Sequence, residues 1–143
     1  MRNIIANDGE IFTPYGATES LPVASISASE VLDQTAARTA NGAGTCVGTR
    51  FSGIEWRVIR ISDEPVAKIE DVENVPQGEI GELIVTGAVV TTEYVTRTDA
   101  NAIAKIRDNG CGRIWHRMGD LGYLDELDRF WFCGRKSHRL ATA

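Results

Sequence analysis

The chain reads as α/β of the α+β kind, with a first section that holds one helix followed by a small β-rich layer. Three observations predict this. Ile54 to Ile61 alternates apolar and polar residues with period two and is rich in β-formers, which marks a half-buried strand. Short apolar runs at Glu82 to Thr86, 114–117, 121–124 and 129–133 supply further strands. Between Ser27 and Ala40 the pattern is helical instead.

In chain order, Asn7-Asp8-Gly9 is a turn signal, and Ile11-Phe12 ends a short strand that Thr13-Pro14 stops, because proline cannot donate to a ladder. A tight turn follows, in which Gly16 lets a flat or anionic ligand approach the backbone. Ser27 or Ser29 caps the helix, Glu30 in its first turn suits the dipole, and Asn41-Gly42 stops it. Gly42-Ala43-Gly44-Thr45-Cys46-Val47-Gly48 is expected to be a flexible connector. It lacks both the G-x-G-x-x-G spacing and a G-K-[ST] ending, so it is not read as a nucleotide loop. From Phe51 the pattern turns β. Lys68 to Asn74 is acidic and expected to be exposed, Pro76 to Gly81 is a turn, and Val89-Val90 opens a loop toward Tyr94. Apolar residues at 100, 103, 104 and 106 predict a helix from Asp99 to Ile106, which Asn109-Gly110 breaks.

Composition excludes little. The 143 residues suffice for one core, and 43% hydrophobic and 24% charged residues are ordinary globular values. A net charge of -5 without a basic run argues against nucleic acid as a partner. Cys46, Cys111 and Cys133 form no C-x-x-C pair, which fits a reducing cytoplasmic setting better than a disulfide framework. With only His116 and His138 beside them, a Cys/His zinc site is not expected. No apolar run approaches the roughly 20 residues that span a bilayer, and Met1 to Gly9 lacks the apolar core of a signal peptide.

Chemistry concentrates in two stretches. Tyr15-Gly16-Ala17-Thr18-Glu19 sets an aromatic face, a glycine, a hydroxyl and a carboxylate side by side, the groups that stack a base, bond a phosphate oxygen and hold magnesium. Far downstream come Trp115 to Asp125, with Gly119-Asp120, and then Arg129 to Lys136, with Gly134-Arg135. With Gly78-Glu79-Ile80-Gly81-Glu82-Leu83 between them, these motifs resemble the adenylate-forming superfamily of acyl- and aryl-CoA ligases, peptide-synthetase adenylation domains and luciferases. The resemblance runs from about Glu10 to Arg139. Thr13 to Ser25, Gly42 to Gly48 and Phe130 to Lys136 are similar, more narrowly, to the β-lactone synthetases of bacterial olefin biosynthesis.

That resemblance implies residues 1–49 as the end of a layered α/β nucleotide-binding subdomain. It implies 50–134 as a small distorted β-barrel subdomain, and 135–143 as a hinge toward a further domain. It implies that Tyr15 lies against adenine, with Gly16 and Ala17 beside it. Thr18 would bond the α-phosphate, and Glu19 would be the metal-linked acid for Mg2+. Asp120 would accept both ribose hydroxyls of ATP or AMP, for a carboxylate's two oxygens match a vicinal diol. Arg135 would donate to ribose or phosphate. From position alone each has a plainer reading: Asp120 as a turn aspartate, Arg135 as a solvated arginine, Glu19 as a surface carboxylate. His116 reads as a structural or site-lining histidine, since no G-x-S-x-G elbow or other nucleophile accompanies it.

The implied substrate is a fatty acid or 3-hydroxy fatty acid, activated as acyl-AMP. A β-lactone would then close; in a CoA ligase, CoA attacks instead. Other enzymes of olefin biosynthesis are conceivable partners. Thr49-Arg50, Glu93, Asp128 and Ser137 depart from the family pattern, the last at the hinge pivot. The chain shows neither the lysine-bearing phosphate loop nor the catalytic lysine of such enzymes, so it is expected to be an internal segment, inactive alone. A non-catalytic AMP-binding or docking module is the alternative of another class.

Overall fold

The computed structural model describes residues 9–140. The turn expected at Asn7-Asp8 and the end of the hinge at 141–143 lie outside them. Among the described residues, eight strands form one antiparallel sheet: β1 (Phe12–Ala17), β2 (Ser20–Ser27), β3 (Thr45–Arg50), β4 (Glu55–Ile59), β5 (Gly81–Thr86), β6 (Lys105–Asp108), β7 (Arg113–Leu124) and β8 (Arg129–Arg135). The order across it is β1-β2-β3-β8-β7-β5-β4, with β6 pairing the first half of β7. The sheet curls, because β2 and β4 lie far apart in that order yet share a core. Val23 and Ala24 cluster there with Trp56, Val58, Leu83, Val85 and Phe130.

β5 is buried along its whole length, as a central strand must be. Its alternation sends Leu83 and Val85 to that first core, while Ile84 joins Ile59, Ile69, Ile106 and Trp115 in a second. A third cluster, Ile26, Cys46 and Trp131, has Val31 from the helical segment packed against it. That segment runs from α1 (Ala28–Glu30) through a π-helical turn (Val31–Thr35) into α2 (Ala36–Ala40). Ser27 is the cap, its Oγ accepting from Glu30 N at 3.1 Å, and Gly42 ends the segment at a φ of 88°.

Several local expectations are corrected. The first strand does not stop at Thr13-Pro14. β1 runs through Pro14 to Ala17, which proline permits because β1 is the edge of the sheet. Gly16 therefore sits in a strand, at the register shift between Tyr15 and Ala17, and the tight turn is Thr18-Glu19. The connector at 42–48 contains a core strand: Cys46 pairs with Trp131 and Thr49 with Ser25, so β3 is the seam between the first hairpin and the rest. The helix expected to reach Ile106 stops early, as α3 (Asn101–Ala104). Ile106 pairs with Trp115 in β6 and is fully buried there, where a β-branched side chain packs well. Strands 114–117 and 121–124 are one strand, β7, bent at Gly119 with a φ of 69°. The acidic connection at 68–74 is anchored by Ile69, which is buried in the second core.

Candidate functional site

The bend in β7 creates the centre of the site. At Gly119 the strand adopts a left-handed conformation that glycine reaches without strain, and Asp120 follows, 4% exposed. Two side chains from distant parts of the sequence meet it. Tyr15 Oη, from the edge strand β1, donates to Asp120 Oδ2 at 2.5 Å. Arg135 Nη1, from the end of β8, donates to Oδ1 at 2.6 Å and also to Met118 O at 3.3 Å. Both carboxylate oxygens thus have one partner each, and a carboxylate offers about four lone-pair positions, so acceptor capacity remains for a ligand's hydroxyls. Tyr15 itself packs on Phe130, with ring centroids 6.0 Å apart. Burial, then the charge of Asp120 and the hydrogen bond to it, hold its phenol well above the usual tyrosine range.

Ala17, Glu19, Gly119 and Arg135 line one cavity of about 230 Å³ with Tyr94, His116 and Lys136. Glu19 stands at the β1–β2 turn, where its Oε1 accepts from Tyr94 Oη at 2.8 Å. That bond is the main reason its carboxyl lies below the usual glutamate range, burial opposing it. Tyr94 is pushed up to about 12, chiefly by burial and then by the bond to Glu19. Thr18, the turn tip, is exposed and is not among the residues lining the cavity. Gly16 is demanded by its own chain, since a Cβ there would collide with the Ser20 carbonyl and come within 2.8 Å of Leu21 Cδ1. The structure therefore joins Tyr15, Asp120 and Arg135 by direct bonds, and places Ala17 and Glu19 on the same cavity as Arg135. A groove of about 580 Å³ lined by Pro65, Asn101, Lys105, Arg107 and Ile114 is larger but carries none of these motif residues, so size does not mark the site.

Glu82, Arg117, Lys136 and Tyr94 were given no role by the sequence, yet all four line the cavity. Glu82 is fully buried and accepts from Arg117 Nη2 at 2.6 Å and from Lys136 Nζ at 3.0 Å. Its burial follows from its place at the head of the apolar run Leu83-Ile84-Val85, but the cations that pair with it lie 35 and 54 positions away. Tyr94 had no such signal, being one polar aromatic in a long loop. His116 is buried, and its Nδ1 lies 3.2 Å from Ala104 O. Burial, reinforced by the Lys105 ammonium, pushes its pKa down to about 4, so at neutral pH it is uncharged. Among the described residues no three His, Cys, Asp or Glu gather as a metal-holding group. Of the two carboxylates lining this cavity, Glu82 is taken up by Arg117 and Lys136, so a magnesium ion would have Glu19 from the protein and would need its other oxygens from solvent or a bound anion.

No protein-family model matches the chain. Two curated relatives align with all of it: the olefin β-lactone synthetase of Stenotrophomonas maltophilia (strain K279a), 46% identical, and that of Xanthomonas campestris pv. campestris, 45% identical. The chain spans only 26% of the length of either. Among solved structures, O-succinylbenzoate coenzyme A synthetase from Bacillus subtilis, in complex with ATP and magnesium ion, superposes with a TM-score of 0.67 at 25% identity. That match covers 92% of this chain and 22% of that one. An antiparallel sheet with few helices, three motifs in order and 45–46% identity along the whole of this chain agree: the chain belongs to the adenylate-forming superfamily, and within it is similar to about a quarter of an olefin β-lactone synthetase.

Proposed function

We propose that the chain is the adenosine-binding wall of an enzyme that activates a 3-hydroxy fatty acid as acyl-AMP and closes it to a β-lactone. The observation that supports it best is Asp120 held between Tyr15 and Arg135, which sets a carboxylate beside an aromatic ring and a guanidinium. In this reading Asp120 accepts the ribose hydroxyls and Arg135 donates to ribose or phosphate. Tyr15 lies against adenine with Gly16 and Ala17 at its edge, and Thr18 bonds the α-phosphate. Glu19 holds the magnesium ion, which when bound offsets phosphate charge. Similarity to a synthetase whose structure holds ATP and magnesium ion supports ATP and magnesium as the ligands of this reading. Residues 1–49 then close a larger nucleotide-binding subdomain, 50–134 form the β-rich subdomain and 135–143 lead into a hinge. The three free cysteines fit a reducing cytoplasm.

A CoA ligase is the second reading, favoured by the structural neighbour that is a coenzyme A synthetase. The product formed by the full-length enzyme from a 3-hydroxy fatty acid, ATP and CoA separates the two, β-lactone against thioester. The 143-residue chain is expected to bind AMP through this wall. Calorimetry with AMP tests the wall itself. Asp120→Ala should weaken binding by about tenfold or more, the worth of one charged hydrogen-bond acceptor. Equal affinity in the two chains would end the adenosine reading.

A further inference from the structure

The loop between β5 and α3 delivers one group to the site, the hydroxyl of Tyr94, and the loop is fastened so as to hold it there. Tyr94 N donates to Asn101 Oδ1 at 2.7 Å, and Asn101 Nδ2 donates back to Tyr94 O at 3.1 Å. One side chain thereby satisfies both backbone groups of one loop residue. Thr91 N donates to Glu19 O at 2.9 Å, while Lys105 Nζ donates to Thr91 O at 2.6 Å and to Thr91 Oγ1 at 2.9 Å. The loop is thus tied to the β1–β2 turn and to β6 at once. The Tyr94 ring is held as well. The Lys105 ammonium lies 5.4 Å from its centroid, and the His116 imidazole meets it in a T-shaped contact at 6.5 Å.

We propose that Tyr94 is a positioning residue that fixes the Glu19 carboxylate at the turn, with Asn101 as the latch that fixes Tyr94. Its functional consequence rests on the reading of Glu19 as the metal-linked acid; its geometry does not. A glutamate at a turn has three rotatable bonds, and ordering such a side chain costs conformational entropy. A carboxylate already held by a phenol has met part of that cost before a cation arrives, which is preorganisation. The phenol donates to Glu19 Oε1 from a ring that is itself held, so the loop sets the direction of the carboxylate. The other ionisable groups facing Glu19 are Lys105 and His116, and His116 is neutral at the pH of binding.

Tyr94→Phe removes the hydroxyl and keeps the ring, so the contacts with Lys105 and His116 and the Asn101 latch persist. Two readouts on the 143-residue chain test the proposal. In NMR, the Hα–Hβ couplings of Glu19 should report one χ1 rotamer in the parent and averaged rotamers in the variant; the same couplings in both chains overturn the clamp. In calorimetry with ATP, with and without magnesium chloride, Tyr94→Phe should lose about 3–10-fold of affinity with magnesium and none without it, the share expected from ordering one side chain. Equal losses in both conditions would make Tyr94 a scaffold residue and overturn the proposal. Asn101→Ala should reproduce the magnesium-dependent loss with Tyr94 intact. If the parent chain bound ATP identically with and without magnesium, the metal reading of Glu19 would fall, while the Glu19 couplings would still decide the clamp.

Discussion

Single residues in this chain are legible to different depths, and burial explains the difference. Tyr15, Glu19, Asp120 and Arg135 stand out in the sequence because their motifs do, and three of them prove to be bonded to one another. Glu82 and Arg117 carry comparable charge but lie inside strands whose pattern is read as apolar. Their pairing spans 35 positions and leaves no local trace. His116 shows what such surroundings do to a titratable group. Its pKa falls to about 4 in the folded chain against about 6.5 when unfolded, so between those values the unfolded state binds more protons. Stability is therefore fully present above about pH 6.5 and declines as pH falls to about 4, by on the order of 3 kcal/mol across the window. Urea unfolding at a series of pH values should show this slope, and His116→Gln should flatten it.

Among elements, β7 carries the site, and two of its glycines serve unlike ends. Gly119 has a φ of 69°, yet a Cβ there would meet nothing nearer than Arg135 Nη2 at 3.7 Å, so only the backbone conformation resists substitution. Gly122 has the reverse problem. A Cβ there would collide with the Trp131 carbonyl and come within 2.6 Å of the Phe130 ring. Gly119→Ala should cost about 1–2 kcal/mol, the penalty of a left-handed non-glycine residue. Gly122→Ala should cost several-fold more, because a fully buried ring and a ladder carbonyl must both move. Thermal melts of the two variants give the order. Strand β4, strand β5 and the Ser27 cap were readable because pattern and packing agree there. β3 and β6 were not: a glycine-rich run and a helix-like spacing were overruled by pairing partners 80 to 87 and 5 to 11 positions away.

Across the whole molecule, one buried ionic cluster fastens the end of the chain to the body of the sheet. Glu82 holds Arg117 and Lys136, Arg117 also donates to the carbonyls of Ser62 and Glu64, and Lys136 shares the Ser62 carbonyl at 3.2 Å. Arg139 adds a bidentate pair to Asp63 at 2.7 Å. Glu82→Gln would leave two cations without their shared anion, one of them only 2% exposed, and should destabilise the fold by about 3–5 kcal/mol. Faster amide exchange at 135–139 in that variant than in the parent would trace the loss to this clasp. The curl of the sheet was itself beyond sequence reading, since it rests on β2 and β4 sharing one core across a gap of roughly thirty residues.

The central ladder has one more consequence. β3 pairs with β8, the last strand, and Tyr15 reaches across 105 positions to Asp120, so the site is stitched from both ends of the chain. Contacts of such sequence separation form late, because a long loop must close before they can repay its entropy. A folding chain can therefore have most of its strands in place while Tyr15, Asp120 and Arg135 are still apart. Their junction closes all at once, when β8 slots between β3 and β7.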